Sequence, residues 1–386
     1  MIIRPEFGYY EYEGKSYFDK LDVLDSALSK RDYNPNIIFN FNDHIYSNID
    51  WETEPSLSLN EIYKMRAQQL RDEYDYLILM YSGGSDSRQV LHTFLDNGIF
   101  LDEVQSIHPQ KITSSMEVST NRNHPYAFMF EFNLTTMPGL EDLHKRSPKT
   151  KIQIIDMSDD LLKYHKDENY FVDRAHQSQF GVYHMIKTNI GLEYNRKNSE
   201  RKGKVGVIYG VDKPRVVMRN NKLFCYFVDV GRAGAQPQRK QNDINYTSIF
   251  FFTTPNLPQL IVKQCHVIKR FIEKIPKVYD TFESFRRDPL GPTKTGELIK
   301  NIVYPSWNNN IFQADKVGNM FSWREEQKFL ESIQTGMGDF ITSRKQSLIN
   351  KYSKFDINFD HIWMLTIFSK YYCVGDIKRE TIGLPV

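Results

Sequence analysis

Hydrophobic positions along the chain change their period in an order that alternates strands with helices. Tyr76-Leu77-Ile78-Leu79-Met80-Tyr81 is an unbroken apolar run, the pattern of a strand buried on both faces of a parallel sheet. Ser82-Gly83-Gly84-Ser85-Asp86-Ser87 interrupts it, and Gln89 to Leu95 then reads as a helix stopped by Asn97-Gly98. Further strands are predicted over Val104–Ile107, over Ile152–Ile155 (ending at Asp156) and over Val205–Tyr209. The last of these runs into Gly210-Val211-Asp212-Lys213-Pro214-Arg215, and a long helix is predicted before it, over Arg174–Ile190 with Gly191 as its stop. Upstream, Ser58-Leu59-Asn60-Glu61 has the spacing of a capping box. Leu59, Ile62, Tyr63, Arg66 and Leu70 follow at helical intervals to about Arg71. Together these elements predict an α/β domain over residues 58–255, built on a doubly wound parallel sheet.

The flanks differ in pattern. Residues 1–57 read as a small N-terminal extension, with a hairpin at Tyr9–Lys15 and a strand at Ile37–Phe41. Residues 256–386 read as a mainly helical C-terminal domain. Its signals are Pro258–Ile275, a second capping box at Ser322-Trp323-Arg324-Glu325, and helical apolar spacing over Ile362–Tyr371. The length of 386 residues agrees with more than one domain. No run approaches the roughly 20 apolar residues of a membrane span, and the first residues lack the pattern of a signal peptide. The expectation is a cytoplasmic protein with no membrane partner.

Composition narrows the chemistry. Three cysteines, Cys225, Cys265 and Cys373, stand far apart in sequence and form no CxxC pair, which argues against a disulfide framework and a metal site made of Cys alone. The histidines, among them His176, His184 and His266, show no ligand spacing. A formal charge of +2 creates no general basic field for nucleic acid, although Arg196–Lys204 and Arg232–Lys240 are local basic runs. Such runs are ordinarily solvated faces; the functional alternative is a lid over polyphosphate or a nucleic-acid patch.

The Ser/Gly loop between a strand and a helix is the feature with chemical content. Glycines let the backbone turn and approach a ligand closely, and successive N–H groups plus the helix N-terminus favour an anion. Ser82, Gly83, Gly84, Ser85 and Ser87 therefore read as a phosphate cradle, with the Ser82 and Ser87 hydroxyls as added donors. Asp86 would repel phosphate directly, so its use is to hold Mg²⁺ that bridges phosphates. The bland reading is an ordinary strand–loop–helix turn. A Walker loop is not present: Gly291 and Gly296 have the spacing, but Glu297-Leu298 follows where Lys-Ser/Thr is needed.

This loop resembles that of the PP-loop ATP pyrophosphatase superfamily, most specifically over Tyr81–Gly98. More closely, the chain resembles phage-encoded asparagine synthase-like proteins. That likeness lies in Tyr81–Ser87, Gly210–Arg215 and Pro255-Asn256-Leu257-Pro258. The resemblance implies ATP cleavage between the α and β phosphates, with AMP attached to a substrate oxygen and then displaced by a nucleophile. It implies ATP and Mg²⁺ as cofactors, Asp86 and Asp212 at the metal, and Lys213 or Arg215 against the charge of departing pyrophosphate. Asp212-Lys213-Pro214 is also a common turn composition, which is the structural alternative. Asp156 is a weaker candidate, and Glu117, Asn121 and Arg122 are candidates for reading the substrate.

One departure from the family shapes the expectation. Glutamine-hydrolysing asparagine synthetases carry a Cys after the initiator Met, whereas Ile2 stands here. The expected nitrogen source is thus ammonia or an amine from solution, a substrate or another protein. Small molecules and nucleobases both remain open as the adenylated substrate, and nucleic acid remains open as its carrier. The other function classes are a sulfur-transfer relative, which would need reactive cysteines, and a non-catalytic nucleotide-binding scaffold.

Overall fold

The computed structural model describes residues 8–18, 20–108, 110–113, 132–156, 158, 200–211, 213–229, 246–274, 299–307, 343, 346–347, 350–355 and 367–378. The chain opens with strands β1 (Tyr9–Tyr12) and β2 (Lys15–Tyr17), helix α1 (Lys20–Ser29), strand β3 (Ile38–Asn40) and the single turn α2 (Asp43–Tyr46). Helix α3 (Leu59–Glu73), strand β4 (Tyr76–Met80), helix α4 (Ser85–Asp96), strand β5 (Glu103–His108) and the turn α5 (Gln110–Thr113) follow. Next come helix α6 (Met137–Arg146), strands β6 (Lys151–Asp156), β7 (Val205–Tyr209), β8 (Arg215–Arg219), β9 (Lys222–Tyr226) and β10 (Tyr246–Phe250), helix α7 (Gln259–Glu273) and strand β11 (Tyr372–Asp376).

The central layer is a five-stranded sheet in the order β10-β7-β4-β5-β6, and every pair in it is parallel. The apolar runs explain its middle. All five residues of β7 are buried, and so are the four after Tyr76 in β4. Each such Leu, Ile or Val contributes about 1.5–3 kcal/mol on leaving water. The chain builds outward from β4 through β5 to β6, then returns to place β7 and β10 on the other side of β4. The order therefore reverses between β4 and β7, and a crevice opens there at the carboxyl ends of the strands.

The Ser58 capping box forms as expected: Ser58 accepts from the Glu61 N–H, and Glu61 returns to the Ser58 N–H. Helix α3 continues to Glu73, with Leu59, Ile62, Tyr63, Arg66 and Leu70 buried along one side. A three-stranded antiparallel sheet, β2-β1-β3, holds the N-terminal extension, and a second, β11-β9-β8, lies next to it: the Phe39 N–H donates to the Phe368 carbonyl at 2.9 Å, and the Phe41 and Tyr46 rings pack on Phe227. Its β8–β9 hairpin turns at Asn220 and Asn221, both at positive φ, a pairing matched to the twist of the strands it joins.

The C-terminal reading needs one correction. Residues 362–366 lie outside the described residues, and residues 367–371, expected to be helical, are extended. Ile367 and Ser369 are buried while Phe368 and Lys370 are exposed, a period of two rather than of a helix. Phe368 bridges Val228, and β11 then pairs antiparallel with β9. The α7 expectation holds as Gln259–Glu273. The predicted helix over 174–190 and the capping box at Ser322 lie outside the described residues. Among the described residues, no helix is long and apolar enough to cross a membrane.

N- and C-terminal segments meet on one carboxylate. Asp229 is buried and pairs with the buried Lys20 ammonium at 2.6 Å. It also accepts from the Tyr10 hydroxyl at 3.0 Å and from the Ile367 N–H at 3.0 Å. Removing one member of such a buried set leaves the others desolvated and unpaired. Asp229→Ala is therefore expected to cost about 3–5 kcal/mol, read as a lower urea midpoint.

Candidate functional site

The Ser/Gly loop lies in the β4–β7 crevice, where the sheet order reverses. Gly83 adopts φ +79, and a Cβ there would stand 2.5 Å from the Thr136 Oγ1 and 2.6 Å from its backbone nitrogen. The Thr136 hydroxyl donates to the Ser82 carbonyl at 2.6 Å, which locks the loop against the start of α6. Gly84 is the N-cap of α4 and supplies no side-chain cap, so the first-turn N–H groups are left for another acceptor.

The serines divide into two roles. Ser87 Oγ accepts from the Ser82 N–H at 3.2 Å and donates to the Gly84 carbonyl at 3.2 Å. Ser82 Oγ lies 3.2 Å from Ser87 Oγ and accepts from the Gly84 N–H at 3.3 Å. Ser85 and Ser87 are buried, whereas Ser82 is exposed. Ser87 thus braces the loop from inside, and Ser82 is the hydroxyl that faces outward.

Asp86 sits in the first turn of α4 with its carboxylate partly exposed. The Tyr304 hydroxyl donates to Asp86 Oδ1, and the Lys213 ammonium lies 3.7 Å from the same oxygen. The structure therefore brings together Asp86 and Lys213, two residues that the sequence separates widely. Asp212 lies outside the described residues. Arg215 opens β8 opposite Tyr226, so its backbone belongs to the antiparallel sheet. Among the described residues, no group of three or more His, Cys, Asp or Glu is placed to hold a metal ion.

Two residues without an assigned role in the sequence reading prove necessary to the geometry. Gly210 follows β7, and a Cβ on it would lie 2.8 Å from the Ser87 nitrogen and 2.9 Å from the Asp86 carbonyl carbon. Only a glycine lets β7 run this close to the first turn of α4. Tyr304 belongs to a C-terminal segment, and nothing in local sequence spacing marks it. Its neighbours fasten it: Tyr63 donates to the Val303 carbonyl at 2.5 Å, and Ser306 N–H donates to Gln89 Oε1 at 3.0 Å. Burial pushes the Tyr63 phenol pKa upward, Gln264 opposes this by hydrogen bonding, and the Asp86 charge adds to the rise.

The other candidates are placed elsewhere. Asp156 ends β6 and accepts from Ser158 N–H and Oγ and from the Lys111 N–H, which organises the turns after β5 and β6. Burial works to raise its pKa, but these bonds outweigh it and lower the value. Within the basic run, Arg201 pairs with the buried Glu103 at 2.6 Å and Lys204 with Glu73 at 2.8 Å, so this part secures the sheet. The rest of that run (196–199), the run 232–240, Glu117, Asn121, Arg122, His176, His184, Gly291 and Gly296 lie outside the described residues. His266 on α7 lies 3.0 Å from the Trp51 carbonyl oxygen, a packing role. No known protein family, curated protein or solved structure matches the chain.

Two outcomes are expected. Gly210→Ala must push backbone against backbone, so it is expected to lower stability by about 1–3 kcal/mol in urea denaturation. The second concerns His108, at the carboxyl end of β5, whose ring lies flat on Phe132 with centroids 3.6 Å apart. Burial pushes its pKa down to about 4 from an ordinary 6.5, although the Asp156 charge pulls the other way. The unfolded chain then binds the proton first, so stability is full above about pH 6.5 and falls as acid is added toward about pH 4. His108→Gln is expected to flatten that fall in urea midpoints. A residual slope remains, because burial also lowers the values of His92 and His266.

Proposed function

We propose that the chain is an AMP-forming enzyme of the PP-loop ATP pyrophosphatase type. It binds ATP at Ser82–Ser87 and transfers AMP to a substrate oxygen with release of pyrophosphate; ammonia or an amine then attacks the atom that bears this oxygen, and AMP leaves with it. The observation that carries this reading is the pairing of Lys213 with Asp86 at the mouth of a glycine loop, within the crevice where sheet order reverses. An ordinary strand–helix turn has no need of a lysine brought from the next strand's end to its first-turn carboxylate.

Each residue has a definite task in this reaction. The N–H groups of the first α4 turn and the Ser82 hydroxyl take phosphate oxygens, as a helix N-terminus favours. Asp86 fits a Mg²⁺ site by its chemistry and its partial exposure. The ion would supply charge neutralisation between phosphates. Lys213 is held 3.7 Å from Asp86 and offsets negative charge growing on the leaving pyrophosphate. Arg215, two residues on, is proposed to share that load. The adenylated group is a small-molecule or nucleobase oxygen.

The test supplies ATP, Mg²⁺, an ammonium salt and panels of amino acids and nucleobases, and separates the nucleotide products. AMP and pyrophosphate are expected; ADP with orthophosphate would overturn the reading. Lys213→Ala is expected to slow turnover on the order of a hundredfold while changing ATP affinity much less. Asp86→Ala is expected to reduce both metal-dependent binding and turnover.

A further inference from the structure

Tyr304 reaches the nucleotide loop from more than two hundred residues away in sequence, as a hydroxyl donated to Asp86 across a separation of 218. Its side chain is fully buried. It therefore cannot touch a ligand in the crevice, and its influence there passes through the carboxylate. What it does to that carboxylate is specific. The Tyr304 hydroxyl donates to Oδ1, the oxygen that also lies 3.7 Å from the Lys213 ammonium, and no hydrogen bond among the described residues goes to Oδ2. A partly exposed carboxylate with one oxygen tied back is a carboxylate with a fixed rotamer and the other oxygen presented outward.

The tether is itself held from three sides. Residues 299–303 are helical, and the Tyr304 N–H donates to the Lys300 carbonyl at 2.8 Å. Tyr63 of α3 donates to the Val303 carbonyl, and Gln264 of α7 donates to the Tyr63 hydroxyl at 2.8 Å. Gln89 of α4 accepts from the Ser306 N–H, and the Phe252 ring lies 5.2 Å from the Tyr304 ring. The hydroxyl thus arrives with little freedom to move away. A hydrogen bond to a charged group is worth more than a neutral one, so its loss releases a carboxylate that the metal must then order for itself.

We propose that Tyr304 is a positioning residue for the metal: it fixes Asp86 so that Oδ2 faces a divalent cation carried by the nucleotide. The proposal rests on the nucleotide-site reading given above. By this account the C-terminal segment 299–307 is part of the nucleotide site, acting behind its metal-binding carboxylate.

The experiment titrates Mg²⁺ against ATP binding, followed by calorimetry, in the full-length parent, Tyr304→Phe, Asp86→Ala and the double variant. Tyr304→Phe keeps the ring and removes only the hydroxyl. It is expected to raise the Mg²⁺ concentration for half-maximal binding by about tenfold or more, with ATP affinity in excess EDTA unchanged. In the Asp86→Ala background the same substitution is expected to change nothing, because the carboxylate it acts on is gone. A melting curve run alongside separates positioning from folding. An unchanged Mg²⁺ midpoint in Tyr304→Phe overturns the proposal. An equal shift in the Asp86→Ala background also overturns it, since the effect would not pass through Asp86. If Tyr304→Phe unfolds, Tyr304→Trp and Tyr304→Leu are titrated instead, with the same two criteria. A parent that binds ATP without any Mg²⁺ dependence sinks the metal-site reading itself, and the positioning role falls with it.

Discussion

The approach of β7 to the first turn of α4 is the constraint from which the rest of the crevice follows. With hydrogen at the Gly210 Cα, the backbone of Asp86 and Ser87 can lie against the strand end, where a methyl group would stand within 3 Å of it. That contact sets where α4 starts. It sets in turn where the Asp86 carboxylate emerges, and how near the segment after β7 can bring Lys213. Gly83 imposes the matching constraint from the opposite side, where Thr136 occupies the space a side chain would need. The loop is therefore clamped between two backbones in addition to the hydrogen bonds within it.

A loop held this way is organised before any ligand arrives. The serine hydroxyls bond within the loop, Asp86 is held by a tyrosine and a lysine, and the helix end is uncapped. Pre-organisation of this kind lowers the ordering cost of binding, which is where sites built on rigid elements gain over sites on free loops. It also leaves the Lys213 ammonium beside the Asp86 carboxylate before anything binds.

The parallel layer is legible in the sequence because β4 and β7 are continuous apolar runs, and a strand buried on both faces has no other pattern to offer. The loop is legible as a loop because its glycines and serines interrupt the apolar run of β4 and lead into the helical spacing of α4. Where the reading stops, the physics is non-local. β5 begins one residue earlier than its apolar pattern, because buried Glu103 is satisfied by Arg201, Tyr76 and Gln105 from three places in the chain. β10 is masked by Thr247 and Ser248, which interrupt its apolar character, although Ser248 is buried. The β8–β9 hairpin does carry a signal in Asn220-Asn221, two residues that tolerate positive φ. Gly210 and Tyr304 have no local signature at all, since the need for each arises only from what another segment places beside it.

The convergence of Tyr10, Lys20 and Ile367 on Asp229 has a consequence for how the chain is made. A protein emerging from the ribosome releases its amino end first, yet the N-terminal hairpin is joined to a residue near the opposite end. Strands β4 to β7 and β10 can assemble as they appear, with the Ser/Gly loop already clamped. The first strands must wait, with Tyr10 and Lys20 lacking one member of their shared network, until residue 367 has left the exit tunnel. Contacts this distant in sequence form late and slow folding. A chain cut short by premature termination would thus carry a finished crevice beside an open edge, the combination that quality-control proteases and chaperones meet as a partly folded client.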